Sequence, residues 1–488
     1  MKSAALWLGP AALAGSLVLA TFASAQGEPL LDETVVAEDE EEEEELEDLR
    51  QRLTEREDQR RPLRQWSTRI AGHRLTLGGE YEAEFGYLRQ RVFDEDDPSR
   101  PDRFGMEHAL ELEAFYTLGE PLSFFAQVQA VLEEDPDPQR ESYDSYVEFS
   151  ELWIASEDIA GSDVSLDFGR LDFEDERRWW WDDEADAVRL SWEPAEAVEI
   201  SLAFGQQLFS DRSDRYYVEP DKDEVLRVIG QASWGWRTDH VLELFASYQD
   251  DHSSDQLGED ADLEEEREDD SDADLTWLGA RAMGVFGLGE RGLLGYWLDT
   301  ALVRGSEKEL VDRGGPDEDV ERRDISGTAF DVGASWILPF DYAPRLFAGY
   351  ARGSSEFLQT GLQANEAGFG GVERFPSYGL LLDPELSNIS VVTAGVGVSL
   401  LRSSSLDLVY HHYQRVDPER PLHDERLEAT LDERHHNLGH GLDVVLALEE
   451  WERLELTFAL AALRAGDAFT DRPGTWSYGG FAAVRFAF

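Results

Sequence analysis

The sequence predicts a transmembrane antiparallel β-barrel of about 18 strands, with long extracellular loops and short periplasmic turns. Three observations carry this. The last thirteen residues, Trp476 to Phe488, alternate strictly. Trp476, Tyr478, Gly480, Ala482, Val484, Phe486 and Phe488 take one face; Ala483 and Arg485 take the other. One greasy face and one that tolerates charge suit a wall with lipid outside and water inside. The same period of two recurs along the chain. Finally, the connections between the alternating stretches are short and long in turn, which a soluble sandwich has no reason to keep.

The N-terminus reads as a secretory signal over 1–25. Lys2 gives a positive start, Ala4 to Ala20 are apolar, and Ala23-Ser24-Ala25 is a small-residue cleavage box. An exported chain without a long apolar helix enters a membrane only as a closed barrel, because lipid cannot satisfy open backbone groups. Residues 26–67 follow as an acidic, largely disordered periplasmic arm. Glu38 to Glu45 is unbroken acid, and Leu46, Leu49 and Leu53 fall at helical spacing. A solvated arm and a docking segment for a periplasmic export-complex protein both fit this pattern. The barrel is assigned to 68–488.

Strand one starts at Arg74. Leu75, Leu77, Gly79, Tyr81, Ala83 and Phe85 face lipid, while Arg74, Thr76, Glu80, Glu82 and Glu84 face the lumen. Further strands are predicted near 104–117, 122–132, 146–156, 163–170, 185–193, 197–208, 225–236 and 239–249. The remainder lie near 275–287, 292–304, 326–338, 344–353, 388–400, 405–414, 438–449, 452–464 and 476–488, with boundaries good to about 2–4 residues. Every even connection, such as Arg237-Thr238 and Glu450-Trp451, has at most about six residues. Every odd one has roughly eleven or more and is expected to face outward, including 305–325 and 354–387. Trp153, Trp192, Trp234, Trp236, Trp297, Trp336 and Trp476 near strand ends are expected to form interface girdles.

The chain has 105 Asp and Glu against 43 Lys and Arg, a formal net charge of −62. Only Lys2, Lys222 and Lys308 are lysines. So acidic a surface repels nucleic acid and suits a saline medium, where the Debye length falls to about 3 Å at 1 M. With no Cys, disulfides, thiol catalysis and zinc–thiolate sites are excluded. No cofactor is expected; calcium at the acidic extracellular loop Glu259–Asp272 is the one candidate. The histidines His411, His412, His423, His435, His436 and His440 cluster, but His411 and His412 alternate onto opposite faces, so surface histidines are the plainer reading. Neither G-x-S-x-G nor H-E-x-x-H occurs, and no enzyme is expected.

What remains is a pore. Alternation puts Arg74, Arg189, Arg415 and Arg485 on the lumen stripe. These arginines either pair with lumenal carboxylates such as Asp407 and Asp443, or grip the carboxylates of a passing anion through the guanidinium fork.

Specific stretches carry a resemblance: Phe168-Gly169-Arg170; D-L-T-W-L-G at Asp274–Gly279; and G-Y-A-R-G-S from Gly349, then Q-T-G-L-Q-A-N, R-F and E-L-S-N up to Asn388. V-Y-H-H-Y-Q-R-V-D at Val409–Asp417, G-L-D-V-V at Gly441–Val445 and A-G-D-A-F at Ala465–Phe469 follow. The chain resembles the outer-membrane alginate export porin family. The resemblance implies an 18-stranded, monomeric porin that passes a polyuronate through an arginine-rich constriction. By motif it marks Arg170, Arg352, Arg374 and Arg415. Alternation agrees for Arg415; Arg170 and Arg352 share parity with Phe168 and Tyr350 and would need a bulge at the preceding glycine. Two departures stand out: Asn365-Glu366 where the family pattern has N-R, and a tight turn at Leu448–Trp451 where the family has a long periplasmic one. The expectation is therefore an outer-membrane porin for an alginate-like anionic polysaccharide, with export as the direction. General or oligouronate uptake is the alternative.

Overall fold

The computed structural model of the 488-residue chain describes residues 66–89, 103–119, 121–137, 140–195, 197–218, 222, 224–251, 271–311, 319–420, 422, 431–470 and 473–488. The signal segment, the acidic arm, His423 and most of the run Glu259–Asp272 lie outside the described residues.

A short strand β1 (Trp66–Ile70) precedes β2 (His73–Arg89), β3 (Arg103–Gly119), β4 (Leu122–Asp137), β5 (Arg140–Ser156), β6 (Val164–Glu174), β7 (Asp182–Ala195) and β8 (Val198–Gly205). β9 (Val225–Arg237), β10 (His240–Asp251), β11 (Ser271–Gly287), β12 (Leu293–Val311), β13 (Asp319–Ile337) and β14 (Arg345–Gly353) continue the wall. Two tiny strands, β15 (Glu366–Ala367) and β16 (Phe375–Pro376), pair with each other inside one loop. β17 (Ile389–Leu401), β18 (Ser404–Arg415), β19 (Asn437–Trp451), β20 (Leu454–Ala465) and β21 (Trp476–Ala487) complete the chain. Every wall strand pairs antiparallel with the next, and β21 pairs with β2 from Glu80↔Ala487 to Arg89↔Tyr478. The result is a closed barrel of 18 strands. β1 lies outside that count, hydrogen-bonded to the foot of β2.

Alternation sets the faces. On β20, Phe458 and Leu460 are exposed, whereas Thr457, Ala459, Ala461 and Leu463 are buried. On β21 the terminal Phe488 donates its backbone N–H to Gly79 O at 2.9 Å, and Arg485 points inward at 4 % exposure. Trp192, Trp234, Trp236, Trp336 and Trp476 are exposed at strand ends, as interface residues should be. Trp153 and Trp297 depart from that expectation. Trp153 packs on Phe125 from within, and Trp297 is 6 % exposed under the Arg177 guanidinium.

Loop lengths also depart in places. β4 and β5 stay paired as far as Asp137↔Arg140, and β6 and β7 are joined by 175–181 alone, because these hairpins keep pairing past the predicted ends. The tight periplasmic turn between β19 and β20 is present, with Glu452 and Arg453 between the strands.

The largest departure is inside. Loop 354–388 does not face outward; it fills the lumen along β10–β20. Phe357, Leu362, Phe369, Phe375, Leu380, Leu382 and Leu386 form one core with inward Phe245, Trp277, Phe347, Val391 and Val409. Its apolar composition was the available signal, since a solvated loop has no use for so many buried side chains. The opposite wall is acidic: Glu84, Glu107 and Glu133 are register neighbours across β2–β4, and Glu113, Gln127 and Glu151 across β3–β5.

Candidate functional site

The constriction is built from two inward elements, the tip of the β6–β7 hairpin and loop 354–388. The hairpin enters the lumen because β6 leaves the wall at Gly169. That residue has φ 135°, and a Cβ there would lie 2.1 Å from Leu152 O. Only glycine fits both demands. β6 accordingly pairs with β5 only from Ser156↔Leu166 to Leu152↔Arg170. Above this, Phe149 N donates to Asp211 O and Ser213 N to Val147 O, so the segment after β8 closes the gap.

Asp175 shapes the hairpin tip. Its carboxylate accepts from the backbone N–H of Arg177, Trp180 and Trp181 and pairs with Arg281 at 2.5 Å. Burial alone would raise its pKa; the Arg281 charge and these three amides outweigh burial and hold it below the ordinary carboxylate range. The tip thereby presents Trp179, Trp180 and Trp181, all at most 3 % exposed. Trp180 stacks on Phe245 at 4.9 Å and sits against Gly279, where a Cβ would come within 2.1 Å of it. Trp179 Nε1 donates to the Tyr378 hydroxyl at 2.8 Å, and Tyr378 donates to Asp331 at 3.1 Å.

Loop 354–388 is fastened to that tip. Ala364 N and Asn365 N donate to Arg178 O, the Thr360 hydroxyl donates to Trp180 O, and Arg178 pairs with Glu366 at 2.6 Å. Gln359 and Asn365 bond each other reciprocally at 3.0 and 3.1 Å. Trp277 Nε1 donates to Leu358 O, Tyr413 OH to Tyr378 O, and Leu380 N to Asp443. Asn388 ties the loop's end to Val416 and Asp417.

The sequence-predicted arginines divide several ways. Arg374 reaches the hairpin, pairing with Glu174 at 3.0 Å, and Arg189 pairs with Asp167 at 3.0 Å while donating to Asp172 O. Lys222, which sequence reasoning did not single out, joins them on Asp183 at 2.9 Å. These three cations retain partial exposure. Arg415 and Arg485 do face inward but are consumed. Arg415 donates to the carbonyls of Asp432 and His435, and Arg485 meets Glu80, Glu82 and Glu455. Arg352 departs from the motif-based expectation, whereas Arg170 lies buried at 7 % exposure just past the irregular Gly169 that the motif-based placement required. Arg170 sits in the gap between β5 and β6 near Asp186 and Asp211, and Arg352 is exposed on the outer face of β14 above Tyr350. Alternation, not the motif, decides Arg352. Arg74 is exposed at the periplasmic end, opposite Arg69 of β1.

His411 is fully buried, shares a hydrogen bond with Thr393 and has Nε2 3.2 Å from an Asp443 carboxylate oxygen, while His412 points to the opposite face. Among the described residues no group of three or more His, Asp or Glu is placed to hold a metal ion.

The D-L-T-W-L-G, Q-T-G-L-Q-A-N, E-L-S-N and G-L-D-V-V motifs thus meet at this constriction or its ties. The sequence-family model described as "Alginate export" matches residues 73–481, nearly the whole wall and both inward elements. The chain belongs to the alginate export family. It is an outer-membrane β-barrel. It is 26% identical over 324 residues to the alginate production protein AlgE of Pseudomonas aeruginosa, covering 63% of this chain and 64% of that protein. To AlgE of Pseudomonas syringae pv. tomato it is 23% identical over 329 residues, covering 63% and 66%. The chain therefore spans a little under two thirds of the length of these relatives. Among solved structures, the outer membrane protein OprD from Pseudomonas aeruginosa aligns with TM-score 0.53 at 10% identity, covering 85% of this chain and 93% of that one. OccK5 (OpdH) of the same species aligns with 0.51 at 8% identity, covering 84% and 98%. These two share the fold. Family membership gives the D-L-T-W-L-G and Q-T-G-L-Q-A-N signatures a physical meaning: they are the fastenings of the inward loop.

Proposed function

We propose that this alginate export family member passes an anionic polysaccharide of the uronate class across the outer membrane, as an exporter and without chemistry of its own. The observation that carries the reading is the family match from 73 to 481, which spans every element of the constriction. The mechanism is exchange of ion pairs. Arg374, Arg189 and Lys222 hold the hairpin through Glu174, Asp167 and Asp183 while keeping partial exposure. A uronate carboxylate that enters competes with those side-chain carboxylates for the same cations. Each grip is replaceable, so the polymer is handed on instead of trapped. Arg485 and Arg415 stiffen the wall; Arg170 supports the hinge. The precursor is read as losing 1–25, leaving the acidic arm free for a periplasmic partner, with the barrel as a monomer.

Planar-bilayer recording tests this. Polymannuronate or polyguluronate added on the periplasmic side should give long, concentration-dependent blockades. Arg374→Gln with Arg189→Gln should shorten them about tenfold while open-channel conductance stays close to the parent value. An unblocked channel would overturn the proposal. The tight Glu452-Arg453 turn favours a second reading, uptake of short oligouronates. In that case oligomers block from the extracellular side and long polymer does not.

A further inference from the structure

One patch of the lipid-facing surface gathers arginine with histidine. Across β18, β19, β20 and β21 the register runs His412↔His440, His440↔Arg464 and Arg464↔Trp476. All four lie on the outward face. The His412 and His440 rings stack at 4.6 Å. The Tyr410 hydroxyl shares a hydrogen bond with His440 Nδ1 at 2.7 Å, and Gln414 Nε2 meets His412 Nε2 at 3.0 Å. Two strands away on the level of Gln414, across Ser390, stands exposed Arg352. Among the described residues, no ion pair involves Arg464 or Arg352. The carboxylates that follow these strands, Asp417 and Asp467, lie in loops beyond the strand ends.

Height matters. Arg464 is ten residues above Leu454, the first residue of β20. At ~3.3 Å per residue and a tilt near 40°, that is about 25 Å above the periplasmic turn, the full height of the apolar band. The belt below is apolar, with Leu408, Leu442, Phe458 and Leu460 exposed to lipid. Tyr410, Trp476 and Tyr478, each 40–45% exposed, mark the interface itself. The cations therefore stand where outer-leaflet headgroups are, on a molecule whose net charge of −62 would otherwise repel every anionic headgroup.

We propose that the outward face of β18–β20 is a seat for the phosphorylated headgroup of an outer-leaflet glycolipid. Arg464 supplies the guanidinium fork for the phosphate and His440 a ring nitrogen. Arg352 is a second anchor at the edge of the same patch. The acyl chains lie on the apolar stripe beneath, and the exposed aromatic rings face the sugar. This assignment is independent of what the pore carries.

The test is native mass spectrometry of the full chain in detergent, titrated with a bis-phosphorylated diglucosamine glycolipid and with its dephosphorylated form. The phosphorylated lipid should remain bound, and the dephosphorylated one should bind at least about tenfold more weakly. Arg464→Ala with His440→Ala should erase that preference, Arg352→Ala should reduce it, and Arg304→Ala, at an exposed arginine of β12 away from the patch, should leave it unchanged. Folding of each variant is checked by heat-dependent gel mobility. Equal retention of both lipids overturns the proposal. So does unchanged binding by the double variant, or equally tight binding of inorganic phosphate, which would mean that no lipid is needed.

Discussion

Arg345 and Asp407 form a nearly dry pair on the lumenal face of the wall, across Gly397 of the strand between them, 2.5 Å apart with both side chains at most 3 % exposed. Removing one partner leaves a buried charge without compensation, whereas removing both does not. Arg345→Met is expected to cost about 3–5 kcal/mol in chemical unfolding, and Arg345→Met with Asp407→Leu to recover most of it. Equal losses in the single and double variants would refute this. At this scale the sequence was legible wherever alternation alone decides a side chain's direction. Arg485, Arg415, Asp407, Asp443 and the His411/His412 split all face as the period of two requires. Their partners were not legible. Glu82 and Arg485 are 403 positions apart, and only ring closure brings them to 2.9 Å. Arg352 carries a further lesson: a motif transfers residue identity, while the pleat fixes direction.

On the proposed function, the inward loop is the element whose state decides passage. Glu373 at its turn accepts from the Thr457 hydroxyl at 2.6 Å and faces Arg485, Glu455 and Glu366. Burial raises its pKa despite the Arg485 charge. A folded carboxyl with a raised pKa stabilises the seated loop fully below the unfolded glutamate value, about 4.3, and loses that contribution as pH rises through the folded value. Single-channel conductance should therefore grow as pH is raised above the ordinary carboxylate range, with a flatter profile in Glu373→Gln. A parent channel insensitive to pH would contradict this. All 18 wall strands could be placed from sequence because each is amphipathic with period two. The inward loop has no period, so its only signal was apolar composition, which marks burial without saying against what. Its burial comes from packing against strands distant in sequence.

On the proposed function, a polyanion passes through a chain with a net charge of −62, past a wall where Glu84, Glu107 and Glu133 stand side by side. Screening is then part of the mechanism. Raising salt from about 0.1 M to about 1 M shortens the Debye length from about 10 Å to about 3 Å, so polymer blockade events should become more frequent. Blockades that become rarer with salt would mean that attraction, not repulsion, governs entry. The loop alternation that revealed the barrel is a property of the whole chain and was visible without coordinates; the inward bend at Gly169 was not, since one glycine in a strand has many possible uses. The same scale explains the small strand β1. It occupies the edge of β2 from His73 to Leu77, and β21 takes over that edge only at Glu80. Phe488 stops against Gly79 between them. A slip of one residue at this seam would turn every lumenal carboxylate of β21's partner toward lipid. β1 thus acts as an end-stop: it limits how far the last strand can slide before the ring shuts, and so sets the stagger of the cylinder at its moment of closure.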